Sequence, residues 1–281
     1  EANGGIAAAT NSALALAAGD FVTFLDHDDL VAERALYEVA AELEAHPDAD
    51  LVFSDEDKID EKGRRSQPHH KTDWNSELML GVNAVNHLTV MRRSLVESLG
   101  GLREGFDGAQ DHDLVLRTSE RTRRIRHIPW VLYHWRWQGK QGSYSRARLD
   151  QCAEAARRAV QEHLDRTGQA ARVERVPGQQ GWLRVRHAIP EPGPLVSVII
   201  PTRDRAELLS ACLEGLAPAP HREILIVDNG SVEPATLAGS GRVRDTPGVR
   251  VLEAPGPFNF SALNNRAARE AKGDVLVLLN N

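Results

Sequence analysis

Three aspartates within four positions, Asp26-His27-Asp28-Asp29, follow directly on the apolar run of residues 21–25. Asp disfavours strands, and charge at the end of a buried strand costs desolvation unless something compensates it. Alternation along an extended segment puts Asp26 and Asp28 on one side. Two carboxylates so placed can hold a hard divalent cation, Mg²⁺ or Mn²⁺, beside a diphosphate. The structural alternative is a solvated loop in which Asp28 or Asp29 caps a helix over 31–45. Another carboxylate, Asp228, closes the apolar run 223–227 and opens Asp228-Asn229-Gly230-Ser231. An Asp at a strand end can accept hydrogen bonds from a base or ribose, and Asp228-Asn229-Gly230 is equally a strong turn signal. Cys152 and Cys212 lie in no zinc-like cluster, and two cysteines make no disulfide framework.

Strands and helices must present these groups. Residues 195–200, 206–216 and 223–227 read as strand, helix and strand, with polar residues gathered at the strand carboxyl ends, where open α/β sheets bind ligands. The apolar runs at 21–25 and 275–279 suit the interior of a parallel sheet. They belong to a repeat: residues 1–27 and 255–281 align at a constant offset of 254. The shared residues are Ala8/Ala262, Asn11/Asn265, Ala13/Ala267, Ala17/Ala271, Gly19/Gly273, Asp20/Asp274 and Leu25/Leu279. Each copy is an Ala-rich helix carrying an Asn, a Gly-Asp stop, then a strand. Between the copies, 147–167 has helical apolar spacing, 172–176 and 182–187 read as short strands, and Pro190, Pro192 and Pro194 make a stiff spacer.

The chain has 281 residues with 34 basic and 40 acidic side chains, a formal charge of −6 that gives no general pull toward nucleic acid or an acidic membrane. At 41% hydrophobic residues it can bury a core, which excludes low-complexity disorder. No apolar run approaches the ~20 residues that span a bilayer, and no signal peptide opens the sequence. Sparse cysteine suits a reducing compartment, so the expected location is cytoplasmic. The chain begins at Glu1 without Met, and its length is one repeat period plus the overlap, so it reads as a fragment of a longer protein.

Several segments together resemble family 2 glycosyltransferases. Residues 198–205 (Val-Ile-Ile-Pro-Thr-Arg-Asp-Arg), 226–231 (Ile-Val-Asp-Asn-Gly-Ser) and 258–265 (Phe-Asn-Phe-Ser-Ala-Leu-Asn-Asn) look like that family's nucleotide-binding half. Leu25-Asp26-His27-Asp28-Asp29 resembles its Asp-x-Asp metal motif, residues 108–114 (Gly-Ala-Gln-Asp-His-Asp-Leu) its base segment, and Leu132-Tyr133-His134-Trp135-Arg136 its late His motif. The resemblance implies an α/β GT-A fold in Rossmann-like parallel-sheet halves, in unusual order: the metal and acceptor half comes first and the nucleotide half second. Residues 1–145 are thus expected to end one domain, 146–194 to connect, and 195–281 to begin another. Tandem domains of this kind resemble bacterial enzymes of O-antigen or surface-polysaccharide synthesis, at work on the inner face of the membrane.

The implied reaction is inverting transfer from a nucleotide sugar to a glycan or lipid-linked acceptor, with Mg²⁺ or Mn²⁺. The resemblance makes Asp111 the general base, Asp26, Asp28 and His134 the metal site, and Thr202, Arg203, Asp204, Asp228 and Asn265 the nucleotide contacts. Donor or acceptor contacts are assigned to Asp55, Asp57, Asp113, Trp74, Trp135 and Arg136. Alternatives stand beside several of these: solvated turn chemistry for Asp55 and Asp57, orienting Asp111 or capping the following helix turn for Asp113, and core packing for Trp130, Trp135 and Trp137, which could otherwise stack on sugar rings. The arginines from Arg117 to Arg126 suit a solvated helix face, or attraction to an anionic membrane or lipid diphosphate. A non-catalytic, truncated nucleotide-binding product is the competing reading. A sugar-nucleotide pyrophosphorylase would need a glycine-rich phosphate loop, which Pro201-Thr202-Arg203-Asp204-Arg205 lacks.

Overall fold

A computed structural model describes residues 4–136, 148–179, 181–216, 220–238 and 246–280. The backbone divides into two units, Glu1–Ala188 and Ile189–Asn281. The first opens with α1 (Gly5–Leu14) and β1 (Phe21–Thr23), followed by β2 (Leu30–Val31), α2 (Ala35–Ala45), β3 (Leu51–Ile59) and β4 (Arg65–His69). Next come α3 (Ser76–Gly81), β5 (Thr89–Arg92), α4 (Arg93–Ser98), α5 (Gln110–Ser119) and β6 (Ile125–Arg136). Helix α6 (Leu149–Arg166) and a hairpin of β7 (Ala171–Arg175) and β8 (Leu183–His187) complete the unit.

The main sheet has the order β1-β5-β3-β6-β2, with β4 also paired to β3. Its centre, β3, runs parallel to β6 and antiparallel to β5. The period-2 alternation of strands sorts side chains to two faces. Leu51, Phe53 and Met91 pack in one cluster with Leu114 and Leu116 of α5 and Leu164 of α6. Val52 and Val90 join the other, with Ala35 and Val39 of α2 and with Leu132 and Tyr133 of β6. Strand β1 departs from the expected parallel interior: it pairs antiparallel with β5 and ends the sheet order. Three residues with Phe21 and Val22 only half-buried do not by their own composition select a parallel neighbour.

Two further expectations shift. The helix expected at 31–45 starts at Ala35, because Leu30 and Val31 pair with His134 and Tyr133 of β6. Its N-cap is Arg34 without a side-chain cap bond, so neither Asp28 nor Asp29 caps it. The stretch expected to connect domains contributes instead to the first unit's core, through Ala159, Val160, Leu164, Val173 and Leu183. The division falls at 188/189, just before the prolines.

The second unit contains β9 (Val196–Thr202), α7 (Ala206–Gly215), β10 (Arg222–Asp228), β11 (Val249–Glu253), α8 (Phe260–Glu270) and β12 (Val275–Leu278). The order β11-β10-β9-β12 is parallel throughout. Ile199, Leu225 and Val227 face Leu263 and Ala267 of α8, while Val198, Ile200, Ile224 and Ile226 pack with Leu209 of α7. This is a doubly wound sheet, and its order reverses beside β9, whose carboxyl end is the ligand-binding position of such folds. No helix among the described residues is long and apolar enough to cross a membrane.

Candidate active site

In the first unit the acidic loop is anchored by the end of β6. The buried Tyr133 hydroxyl donates to Asp29 Oδ2 at 2.5 Å and accepts from the Asp26 amide at 3.4 Å. The Arg136 amide donates to Asp29 Oδ1 at 2.7 Å, and its Nε to the Asp28 carbonyl at 2.5 Å. Asp29 is therefore the structural member of the triplet, and Arg136 ties the loop in place. Burial above all pushes the Asp26 carboxyl up; His87 opposes this, and Asp29, Asp111 and Asp28 add to it. Asp111, 85 positions away in sequence, thus shares the field of the acidic loop.

Asp111 lies in the first turn of α5, half-buried. Its Oδ2 accepts from Asn83 Nδ2 at 3.1 Å and from Asn86 Nδ2, and its Oδ1 from the His112 amide at 2.8 Å. Asp113 does different work from the donor or acceptor contact assigned to it. It is fully buried and binds both Arg103 and Arg117, and Arg117 in turn donates to the carbonyls of Leu99 and Gly101. One turn of helix thus carries an accessible carboxylate and an internal one.

The acidic segment after Phe53 continues β3 rather than turning into solvent. Asp55 accepts from His127 Nε2 at 2.8 Å and from the Lys71 amide at 2.9 Å, with His70 Nδ1 at 3.0 Å. Asp57 meets His134 Nδ1 and Arg65 Nε, each at 2.6 Å. Both carboxylates are buried and engaged within the protein, so the sugar contacts assigned to them are not what they make. Glu56, on the alternate side, meets the His87 amide at 2.5 Å and Lys71 Nζ at 3.8 Å. Burial opposes its charge, but His87 and Lys71 outweigh that and hold the carboxyl below its ordinary value.

Among the described residues no three His, Cys, Asp or Glu side chains form a group that could hold a metal ion. The trio Asp26, Asp28 and His134 is accordingly not a ready-made ligand set. His134 is buried and its Nδ1 is committed to Asp57. Asp26 and Asp28 remain hard oxygen donors in a field crowded with carboxylates. They fit a Mg²⁺ or Mn²⁺ that takes one or two protein carboxylates and fills its shell with phosphate and water oxygens. Trp74 and Trp135 are partly buried against the two core clusters, and Trp135 also lies under Lys58 Nζ at 5.5 Å. Trp130 is exposed beneath Arg34, and Trp137 lies outside the described residues.

In the second unit Thr202 and Asp228 face each other in register at the ends of β9 and β10. The loops beyond them are stitched together: the Asp204 amide donates to Ser231 Oγ at 2.8 Å, and Asp204 Oδ1 accepts from the amides of Val232 and Glu233. Those peptide donors, Glu233 first, hold the Asp204 carboxyl below its ordinary value. Asp228 Oδ1 accepts from the Ser231 amide at 2.7 Å, so the turn and the strand-end carboxylate are one structure. Arg203 is exposed beside them. Asn265 stands apart, exposed along α8. Asn229 was not a sequence candidate, yet its Nδ2 donates to the carbonyls of Ala254 and Gly256 and binds the β10 and β11 ends together.

The mixed α/β architecture, with one unit doubly wound and parallel and carboxylates at its strand ends, is of the kind found in the GT-A class of glycosyltransferase folds. Within that class the chain belongs to Glycosyl transferase family 2, whose profile it matches over residues 1–100 and 197–281. It is 44% identical over 282 residues to the O-antigen biosynthesis protein RfbC of Myxococcus xanthus, covering 99% of this chain and 22% of the relative. It is also 44% identical over 288 residues to the uncharacterized protein y4gI of Sinorhizobium fredii (strain NBRC 101917 / NGR234), covering 100% of this chain and 31% of the relative. The chain therefore spans less than a third of either relative. Among solved structures, S. aureus TarS overlays with a TM-score of 0.43 at 20% identity, over 58% of this chain and 28% of that one.

Proposed function

We propose that this chain provides parts of a metal-assisted, inverting glycosyltransferase that moves a sugar from a nucleotide-sugar donor to a polysaccharide or lipid-linked glycan. The observation that carries this reading is Asp111: a half-buried carboxylate, oriented by two side-chain amides and sharing the electrostatic field of Asp26. As the acceptor hydroxyl oxygen bonds to the anomeric carbon, Asp111 takes its proton. The bond from that carbon to the donor phosphate breaks, its electron pair leaves with the nucleoside diphosphate, and attack from the opposite face inverts the centre. Asp26 and Asp28 would hold the divalent cation, which when bound neutralises charge on the departing diphosphate. Thr202, Arg203, Asp204 and Asp228 would contact the nucleotide of a donor bound at the second unit. The family match and the strand-end placement of these residues support that assignment.

Turnover of nucleotide sugars, measured in the full-length parent protein, tests the reading. Asp111→Asn should lower kcat by about 10²–10⁴-fold with donor affinity retained. Wild-type turnover in that variant overturns the base assignment. Excess chelator should abolish transfer and added Mg²⁺ or Mn²⁺ restore it; undiminished turnover in chelator overturns the metal role.

A further inference from the structure

Beneath Asp111 lies a set of buried polar groups that the reaction as described does not use. Lys71 precedes α3, and its side chain is only 2% exposed. Its amine donates to the carbonyls of Val85 at 3.2 Å and His87 at 2.5 Å. Glu56 accepts the His87 amide at 2.5 Å and pairs with Lys71 at 3.8 Å. Three backbone groups of one short loop are thus held by a buried cation and a largely shielded anion. The same loop carries Asn83 and Asn86, whose amides both donate to Asp111 Oδ2. Thr89 closes the loop from its far end, its hydroxyl lying 3.1 Å from the Val85 carbonyl and 3.3 Å from Asn86 Oδ1.

Burying a Lys–Glu pair is a poor way to gain stability, because desolvation cancels much of the attraction and an apolar pair of similar volume often serves as well. What such a pair does supply is direction. A loop must satisfy its backbone N–H and C=O groups somewhere, and one that satisfies them on fixed charges has few alternative arrangements. A general base loses efficiency quickly when displaced, since misplacement by ~1 Å can cost about 10²-fold in rate.

We propose that Lys71 and Glu56 are positioning residues: they clamp residues 83–87 so that Asn83 and Asn86 fix the Asp111 carboxylate toward the acceptor side. This rests on the reading of Asp111 as base, and the test separates the two. The side-chain amide signals of Asn83 and Asn86, assigned in ¹⁵N–¹H spectra of the full chain with Asn83→Ser and Asn86→Ser, report the contact without any turnover. Asp111→Ala should move both signals. Lys71→Met and Glu56→Ala should move them too and speed their exchange with solvent, whereas Glu56→Gln, which keeps an acceptor for the His87 amide, should largely preserve them. In the parent enzyme the two disruptive variants should lower kcat about 10-fold or more with donor KM within about twofold, and Glu56→Gln should recover most of the loss.

Unmoved Asn83 and Asn86 signals in folded Lys71→Met and Glu56→Ala overturn the clamp. Should both variants fail to fold, hydrogen exchange in the unaltered chain decides. Slow exchange of the His87 amide supports the clamp, and exchange at the rate of an open loop overturns it. If the signals respond but Asp111→Asn turns over normally, the base reading fails and the clamp stands. If Asp111→Asn is inactive and the signals ignore Lys71 and Glu56, the reverse holds.

Discussion

The two copies of the sequence repeat, α1–β1 and α8–β12, place the same residues in different company. Asn11 Nδ2 donates to the Leu102 carbonyl at 2.8 Å, and its Oδ1 accepts the Leu102 amide at 2.9 Å, so one side chain closes both backbone groups of a loop residue. Asn265, its counterpart, lies exposed along α8. At Gly19 a Cβ would meet a single tight neighbour, the Phe21 carbonyl at 3.3 Å. At Gly273 a Cβ would lie 2.6 Å from both the Leu195 carbonyl and Ser197 Oγ, and 2.7 Å from the Ser197 amide. Strand β1 pairs antiparallel with β5, and β12 parallel with β9. A repeat in sequence therefore encodes a helix, a stop and a strand, while the neighbouring strand assigns each shared residue its task. The behaviour of Asn11 also supplies an explanation of the Asn as a backbone tie, distinct from a nucleotide contact.

The sharpest way to break the comparison is at the glycines. Gly273→Ala must push β9 backbone aside, and overpacking of this kind costs about 1–3 kcal/mol; Gly19→Ala should stay well below that. Denaturant unfolding followed by hydrogen exchange, which reads the units separately, checks the pair, and equal losses would contradict the asymmetry. The asparagines come next. Asn11→Ala leaves the Leu102 amide and carbonyl without their partner and should cost about 1–3 kcal/mol in the first unit. Asn265→Ala should stay within about 0.5 kcal/mol, as surface substitutions do. A large loss at Asn265 would show that the two copies share a structural role after all.

A pH dependence also separates the units. Burial pulls the Lys71 ammonium down from 10.5 to about 8, against the counter-pull of Glu56 and Asp55. Between those values the unfolded chain holds a proton that the folded chain has released, so this group's contribution to stability rises with pH; below about 8 both forms are charged and the contribution is flat. The denaturant midpoint of the first unit, compared between the wild type and Lys71→Met, should diverge in favour of the wild type from pH 8 to 10. The second unit should show no such difference. Parallel curves would mean that Lys71 is not buried as described.

The second unit was largely legible in sequence, because an all-parallel, doubly wound sheet needs continuous apolar strands and leaves its polar residues at their ends. The first was legible only in part. Its central strand β3 carries three consecutive carboxylates, Asp55, Glu56 and Asp57, and the histidines and cations arriving from β4, β6 and the Lys71 loop make that tolerable. In sequence the same residues read as a solvated turn, since nothing local announces their partners. Asn83, Asn86, Glu56 and Lys71 were invisible as a group for the same reason. Each is an ordinary residue, and their bonds to one another and to Asp111 span 15 to 28 positions.

The amino-acid sequence by itself determined the family, the helix–stop–strand repeat and the parallel strands of the second unit, and it marked Asp26, Asp28 and Asp111 as carboxylates to watch. These are properties of periodicity and of short contiguous motifs, which need no knowledge of neighbours. Only the tertiary structure decided which carboxylates are held inside, which stand in the common field, and what orients them. A carboxylate's role is set by the donors and charges within a few ångströms of it, and those arrive from distant parts of the chain.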